Sequence, residues 1–97
     1  MTMGQSMALH EEGVTDPRFG HVINGDLAGY HIAACADAQD IQATWIDEEE
    51  PELGPAGAKG IGEVGIVGTA AAIAGAVYHA TGIRVRDLPI RLDKLLT

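Results

Sequence analysis

Apolar residues recur at helical spacing near the start of the chain. Between about Thr2 and Glu12, Met3 and Met7 fall on one helical face together with His10, beside Ala8 and Leu9. Such spacing is typical of an amphipathic helix, and Gly13 is a suitable residue to end it. Because this helix has no preceding element to pack against, we expect further protein upstream of it.

A second helical pattern predicts a long helix from Glu63 or Val64 to Ala80, ending at Thr81-Gly82, where glycine commonly follows a helix. Its sequence is rich in alanine and contains Gly65, Gly68 and Gly75. Each interior glycine costs up to about 1 kcal/mol relative to alanine. We therefore expect neighbouring elements to approach this thin helix closely and to surround it.

Two shorter segments have the character of strands. Residues 20–24 include the β-prone pair Val22-Ile23, and residues 40–47 alternate in polarity, which predicts a core position for Trp45. Between this segment and the long helix, an acidic run over residues 47–50 continues to Glu52 and predicts a solvated loop. The fold class that we expect is α+β: one domain over residues 1–97, with a small antiparallel sheet, an N-terminal helix, a long Ala/Gly-rich helix and a short final helix.

Charge and composition exclude several classes of partner. The chain has 14 acidic and 6 basic residues and a net charge of −8, so a phosphate backbone is repelled and we expect no nucleic-acid partner. The uncharged run from Val64 to Tyr78 is shorter than the roughly 20 apolar residues of a membrane helix, so we expect no membrane partner. Cys35 is the single cysteine, which excludes an internal disulfide and predicts a small buried residue. The cytoplasm is the expected location.

The loop before the long helix carries the candidate chemistry. The sequence GAKGIGEVG, residues 57–65, holds one lysine and one carboxylate among four glycines. Its GxGxxG portion matches the dinucleotide fingerprint, but that motif requires a preceding strand, and an acidic, proline-containing segment stands there instead. From the residues alone, the favoured interpretation of Glu63 is an ordinary acid in the first turn of a helix.

The order of short motifs along the chain resembles the C-terminal portion of the molybdopterin-binding (large) subunit of the xanthine dehydrogenase and aldehyde oxidase family. The motifs cover essentially the whole chain: MALHEE (7–12), DPR (16–18), VINGDLA (22–28), YH (30–31), GAKGIGE (57–63) with its apolar helix, YHATGIRVRDLPI (78–90) and DKLL (93–96). The resemblance implies part of a molybdenum-cofactor-binding domain, with Glu63 as the catalytic base beside the molybdenum.

The resemblance also implies which residues lie near the cofactor. The bare backbone at Gly60 and Gly62, with Ala58 and Lys59 in the same loop, lets molybdopterin come close, and Gly4 stands where the family places a glycine near the pterin. Lys59 fixes the loop or balances charge, or is simply solvated.

Family members have a molybdenum subunit several times longer than this chain. We therefore expect the chain alone to be inactive and to bind no cofactor, and to need the missing subunit domains or a homologous partner chain. Helices with mostly small side chains, and a first helix without a partner, predict exposed apolar patches and self-association. The remaining alternative is a non-catalytic oligomeric or interaction protein that keeps only the fold.

Overall fold

The structure is a computed structural model that describes residues 1–96. The α-helices in this part of the chain are α1 (Thr2–Leu9), α2 (Val64–Val67) and α3 (Thr69–Thr81). Short 3₁₀ helices lie at Pro51–Leu53 and Leu92–Leu95. Helix α1 packs against both α2 and α3, and the long segments between the helices are irregular.

Helix α1 lies at the centre of the structure although its buried residues are small. Gly4 faces α3, and the Ser6 hydroxyl on another side accepts a hydrogen bond from the Ala33 amide at 2.9 Å. Ala8 is fully buried, and its carbonyl oxygen accepts a bond of 2.7 Å from the amide of Ile90, which is buried too. Small side chains allow backbones to approach closely on several sides. This short helix therefore contacts segments from both the N-terminal and the C-terminal parts of the chain.

The predicted apolar face of α1 is not the buried one. Met3 and Met7 are 64% and 48% exposed, and α1 ends at Leu9 rather than near Gly13. Helical spacing places the methionines on one face, but it does not say which face other elements cover. Here the neighbours pack against the small residues instead.

The predicted long helix begins at Val64 and ends before Gly82, whose φ of 74° and 2.8 Å bond to the Tyr78 carbonyl form the expected glycine cap. It is divided into α2 and α3 at Gly68, where the hydroxyl of the following Thr69 bonds back to the Gly65 carbonyl at 3.1 Å. By length and composition, 64–81 is also a segment that could cross a bilayer, and none of it is buried within the described residues, so the absence of a membrane partner stays a prediction.

The structure contains one isolated antiparallel bridge, between Thr15 and Val22, within the described residues. The two bonds that form this bridge run from the Asp16 amide to the His21 carbonyl and from the Ile23 amide to the Val14 carbonyl, each at 2.9 Å. Residues 40–47 have no regular secondary structure and form no backbone hydrogen bond with another segment in the part of the chain described. The small antiparallel sheet therefore stays a prediction, with the bridge as its nearest structural counterpart.

The described chain exposes far more surface than a compact domain does. Its accessible surface is 8001 Å² and its radius of gyration 17.9 Å, against about 5,300 Å² and about 12.5 Å expected for a compact chain of this length. Trp45 is 80% exposed and Cys35 is exposed, so the expectations that both are buried are wrong. Their segment crosses the surface because so little of the chain folds over it.

Candidate functional site

The loop of residues 57–63 turns through glycines. Gly57 and Gly62 have φ values of +57° and +47°, in the left-handed region that only glycine adopts without strain. Glu63 then serves as the N-cap of α2 with φ −94° and ψ 17°. Its carbonyl oxygen accepts hydrogen bonds from the amides of Ile66 and Val67 at 2.9 and 3.4 Å. The backbone of Glu63 is thus fixed by the start of the helix.

Glu63 is exposed, and its side chain has no stabilising partner within residues 1–96. Its carboxylate makes no hydrogen bond or ion pair with residues 1–96. Glu63 borders an open depression of about 220 Å³, whose other walls come from the loop, from α2 and from the start of α1: Met1, Met3, Gly62, Gly65 and Ile66. The residue that carries this unpaired carboxylate therefore lies at the edge of the depression.

Lys59 does not join Glu63. Its Nζ lies 2.9 Å from the Glu48 carboxylate of the acidic run, with the two side chains 34% and 72% exposed. Ala58 and Gly60 are exposed and lie outside the wall of the depression, and a side chain built at Gly60 would meet only open space. Of the loop residues in the site prediction, Gly62 alone borders the depression with Glu63.

Gly4 is buried in the contact between α1 and α3. A Cβ atom added there would lie 2.7 Å from Thr69 Cβ, 2.9 Å from Thr69 Oγ1 and 3.0 Å from Ile66 Cγ1. The structure therefore gives Gly4 a packing role, and its predicted nearness to the pterin stays a prediction. Its neighbour Met3 is the α1 side chain that reaches the depression.

Sequence reasoning did not find Met1, Met3, Gly65 and Ile66 as walls of this depression. No local signal marks them, because the depression exists only when α1 docks beside α2. Elsewhere, the described residues contain no group of three His, Cys, Asp or Glu side chains placed to hold a metal ion.

The site fits one side of a large cofactor. Gly62 and Gly65 have nothing within 4 Å of an added Cβ, so a flat group can approach the backbone there. The depression is smaller than the roughly 300–1,000 Å³ of a typical ligand pocket. Lys59, the cation nearest in sequence, is already engaged by Glu48. The residues present would therefore enclose at most one side of such a group.

Comparison with known proteins shows to which class of protein the chain is related. No family model matches the chain. The chain is, however, homologous to molybdenum-binding subunits of aldehyde oxidoreductase and xanthine dehydrogenase, as the motif order predicts.

In particular, the chain is 52% identical over 96 residues to the aldehyde oxidoreductase molybdenum-binding subunit PaoC of Escherichia coli K12, a match that covers 99% of the chain and 13% of PaoC. It is 35% identical over 95 residues to the xanthine dehydrogenase molybdenum-binding subunit of Escherichia coli O157:H7, covering 98% of the chain and 12% of that protein. The chain thus spans about an eighth of the length of these relatives.

Proposed function

We propose that the chain forms one wall of the active site of a molybdenum-cofactor oxidoreductase and supplies Glu63 as its general base. The observation that carries the proposal is an exposed, unpaired carboxylate held by a glycine loop at a helix start. It lies in a chain 52% identical to part of an aldehyde oxidoreductase subunit.

The side chains around Glu63 suit proton transfer. The helix start fixes the backbone of Glu63 at the edge of the depression. Gly62 and Gly65 leave the backbone side of the depression open, and Met1 and Met3 form other parts of its wall. Molybdopterin, when bound in the complete enzyme, supplies the redox centre for hydroxylation of an electrophilic carbon. Glu63 accepts the proton that this chemistry releases, and a positioned general base contributes about 10²–10⁴-fold to rate.

The rest of a molybdenum-binding subunit is the proposed partner. The chain spans 13% of the length of PaoC, and its site encloses only one side of a large ligand. Its accessible surface of 8001 Å² exceeds that of a compact domain by about 2,700 Å². We propose that other subunit domains cover this surface in the cytoplasm, and that the chain alone neither retains molybdopterin nor catalyses oxidation.

The exposed surface also favours a second function, that of a non-catalytic interaction protein. A standard protein interface buries about 800 Å² on each partner, well below the excess exposed here. Helix α3 has no buried residue along its length. Self-association of the isolated chain through these faces is the expected behaviour under this alternative.

A chimaera tests the proposal directly. The homologous stretch of PaoC is replaced by this chain, and the purified protein is assayed for molybdenum content and aldehyde oxidation. Glu63→Gln removes the base with little change in volume, and Glu49→Gln is a matched control that removes one charge from an acid in the exposed acidic run.

We expect the parent chimaera and Glu49→Gln to bind molybdenum and oxidise aldehydes. Glu63→Gln should retain molybdenum but lose 10²–10⁴-fold or more in kcat. Activity within threefold of the parent in Glu63→Gln would exclude the base role. A molybdenum-loaded chimaera that is inactive with Glu63 intact would favour the interaction protein.

A further inference from the structure

The acidic run and the glycine loop are joined by one charge contact. Lys59 Nζ lies 2.9 Å from Glu48 Oε2, and the other acids of the run, Asp47, Glu49, Glu50 and Glu52, have no cationic partner within residues 1–96. Lys59 pairs with no second carboxylate in that same range. Of the five acids in the run, Glu48 is therefore the one that holds the loop.

The chain between Glu48 and Lys59 doubles back on itself. The 3₁₀ helix Pro51–Leu53 begins the turn, and the Gly57 amide donates a hydrogen bond of 3.1 Å to the Gly54 carbonyl. The Glu50 carbonyl oxygen lies 3.6 Å from the place where a Gly57 Cβ would be. These backbone contacts bring the acidic run beside the glycine loop, and the ion pair closes the turn.

Beyond Lys59 the loop has little to hold it until the helix. A Cβ added at Gly60 or Gly62 would meet nothing within 4 Å. The backbone amides of residues 58–63 donate to no acceptor in the described part of the chain, and the first local bond runs from the Val64 amide to the Ile61 carbonyl at 3.1 Å. The Lys59 ion pair is thus the last side-chain anchor before Glu63.

We propose that Glu48 is a positioning residue that orders the 58–63 loop through Lys59 and thereby limits the positions open to the Glu63 carboxylate. This inference rests on the proposed function, because its catalytic consequence requires Glu63 to be the base. The Lys59 side chain is 34% exposed and the Glu48 side chain 72% exposed. The contact is therefore a surface ion pair, and its effect on loop order is modest. An effect of about two- to fivefold is the size that such a pair produces.

The first experiment measures order in the loop of the full chain. Amide hydrogen exchange of Gly57 and Val64, whose amides are hydrogen-bonded at the two ends of the loop, is followed at 20 mM and 1 M salt in the wild type, Glu48→Gln, Lys59→Gln, the exchanged pair Glu48→Lys/Lys59→Glu, and the control Glu49→Gln. At low salt, Glu48→Gln and Lys59→Gln should each speed exchange about two- to fivefold, while the exchanged pair and Glu49→Gln should match the wild type. The differences should vanish at 1 M salt, where the Debye length is about 3 Å. Equal acceleration in Glu48→Gln and Glu49→Gln, or no rescue by the exchanged pair, would overturn the proposal.

The second experiment measures the consequence for chemistry in the PaoC chimaera. Glu48→Gln should lower kcat about two- to fivefold with KM unchanged, and the exchanged pair should restore it. If amide exchange in the loop changes while kcat does not, the ion pair is a purely local contact, and the proposal that Glu48 positions Glu63 is refuted. If Glu63→Gln itself stays active, the proposed function fails, while the exchange result still decides whether Glu48 orders the loop.

Discussion

Gly4→Ala is the most informative single substitution for the fold, because the structure specifies what the new methyl group would meet. Thr69 Cβ would lie 2.7 Å away, Thr69 Oγ1 2.9 Å and Ile66 Cγ1 3.0 Å. A Cβ atom is fixed by its backbone, so Thr69 cannot relieve the first contact by rotating. Helix α1 and helix α3 would have to separate, and the depression beside Glu63 would open with them.

Two opposing effects set the change in the free energy of unfolding that Gly4→Ala causes. Alanine in place of a helical glycine stabilises by about 0.5–1 kcal/mol, and overpacking of a close contact costs about 1–3 kcal/mol. We therefore expect Gly4→Ala to lower the free energy of unfolding by up to about 2 kcal/mol. Gly75→Ala makes the same chemical change in α3, where nothing lies within 4 Å, and should stabilise by about 0.5–1 kcal/mol.

Thermal unfolding followed by circular dichroism at low protein concentration measures the stability changes of both variants. For a domain of this length each kcal/mol moves the Tm by about 4–8 °C. The variant Gly4→Ala/Thr69→Gly removes the two closest atoms and should be less destabilised than the sum of its single changes. Stabilisation by Gly4→Ala equal to that by Gly75→Ala would refute the close approach of α1 and α3.

Three further measurements check other parts of the structure. Ile90→Ala, at a position 5% exposed, should cost about 2–5 kcal/mol in the same unfolding assay; a loss below 1 kcal/mol would show that the C-terminal segment does not dock. The Arg18 guanidinium and amide bond the Asp16 carboxyl and hold its pKa below the ordinary value, so this stabilisation is present above the unfolded-state pKa and is lost as pH falls through the folded-state pKa. NMR titration should show that Arg18→Gln raises the pKa of Asp16, and an unchanged value would exclude the contact. Trp45, 80% exposed, should emit as a solvated indole in the chain alone and shift to shorter wavelength in the PaoC chimaera; identical spectra would argue against the proposed covering domains.

Local sequence rules predicted both ends of the second helical segment, but placed the end of α1 near Gly13 instead of at Leu9. The start at Val64 and the glycine cap at Gly82 follow from neighbouring residues, so composition was enough. The break at Gly68 was missed, because the bond from the Thr69 hydroxyl to the Gly65 carbonyl competes with a continuous helix in a way that helical periodicity does not reveal. The burial of Trp45 was predicted wrongly, since apolar character favours burial only where other protein is present to cover the residue.

What the sequence determined by itself is the kinship and the chemistry of the loop: the order of its motifs and the single acid among glycines follow from residue identity alone. What only the tertiary structure decided is which surfaces meet. It placed Met1 and Met3 beside Glu63, joined Glu48 to Lys59, and buried Gly4 rather than the methionines of α1. The physical reason is that close packing depends on distances between segments far apart in the chain, and no local pattern of residues encodes those distances.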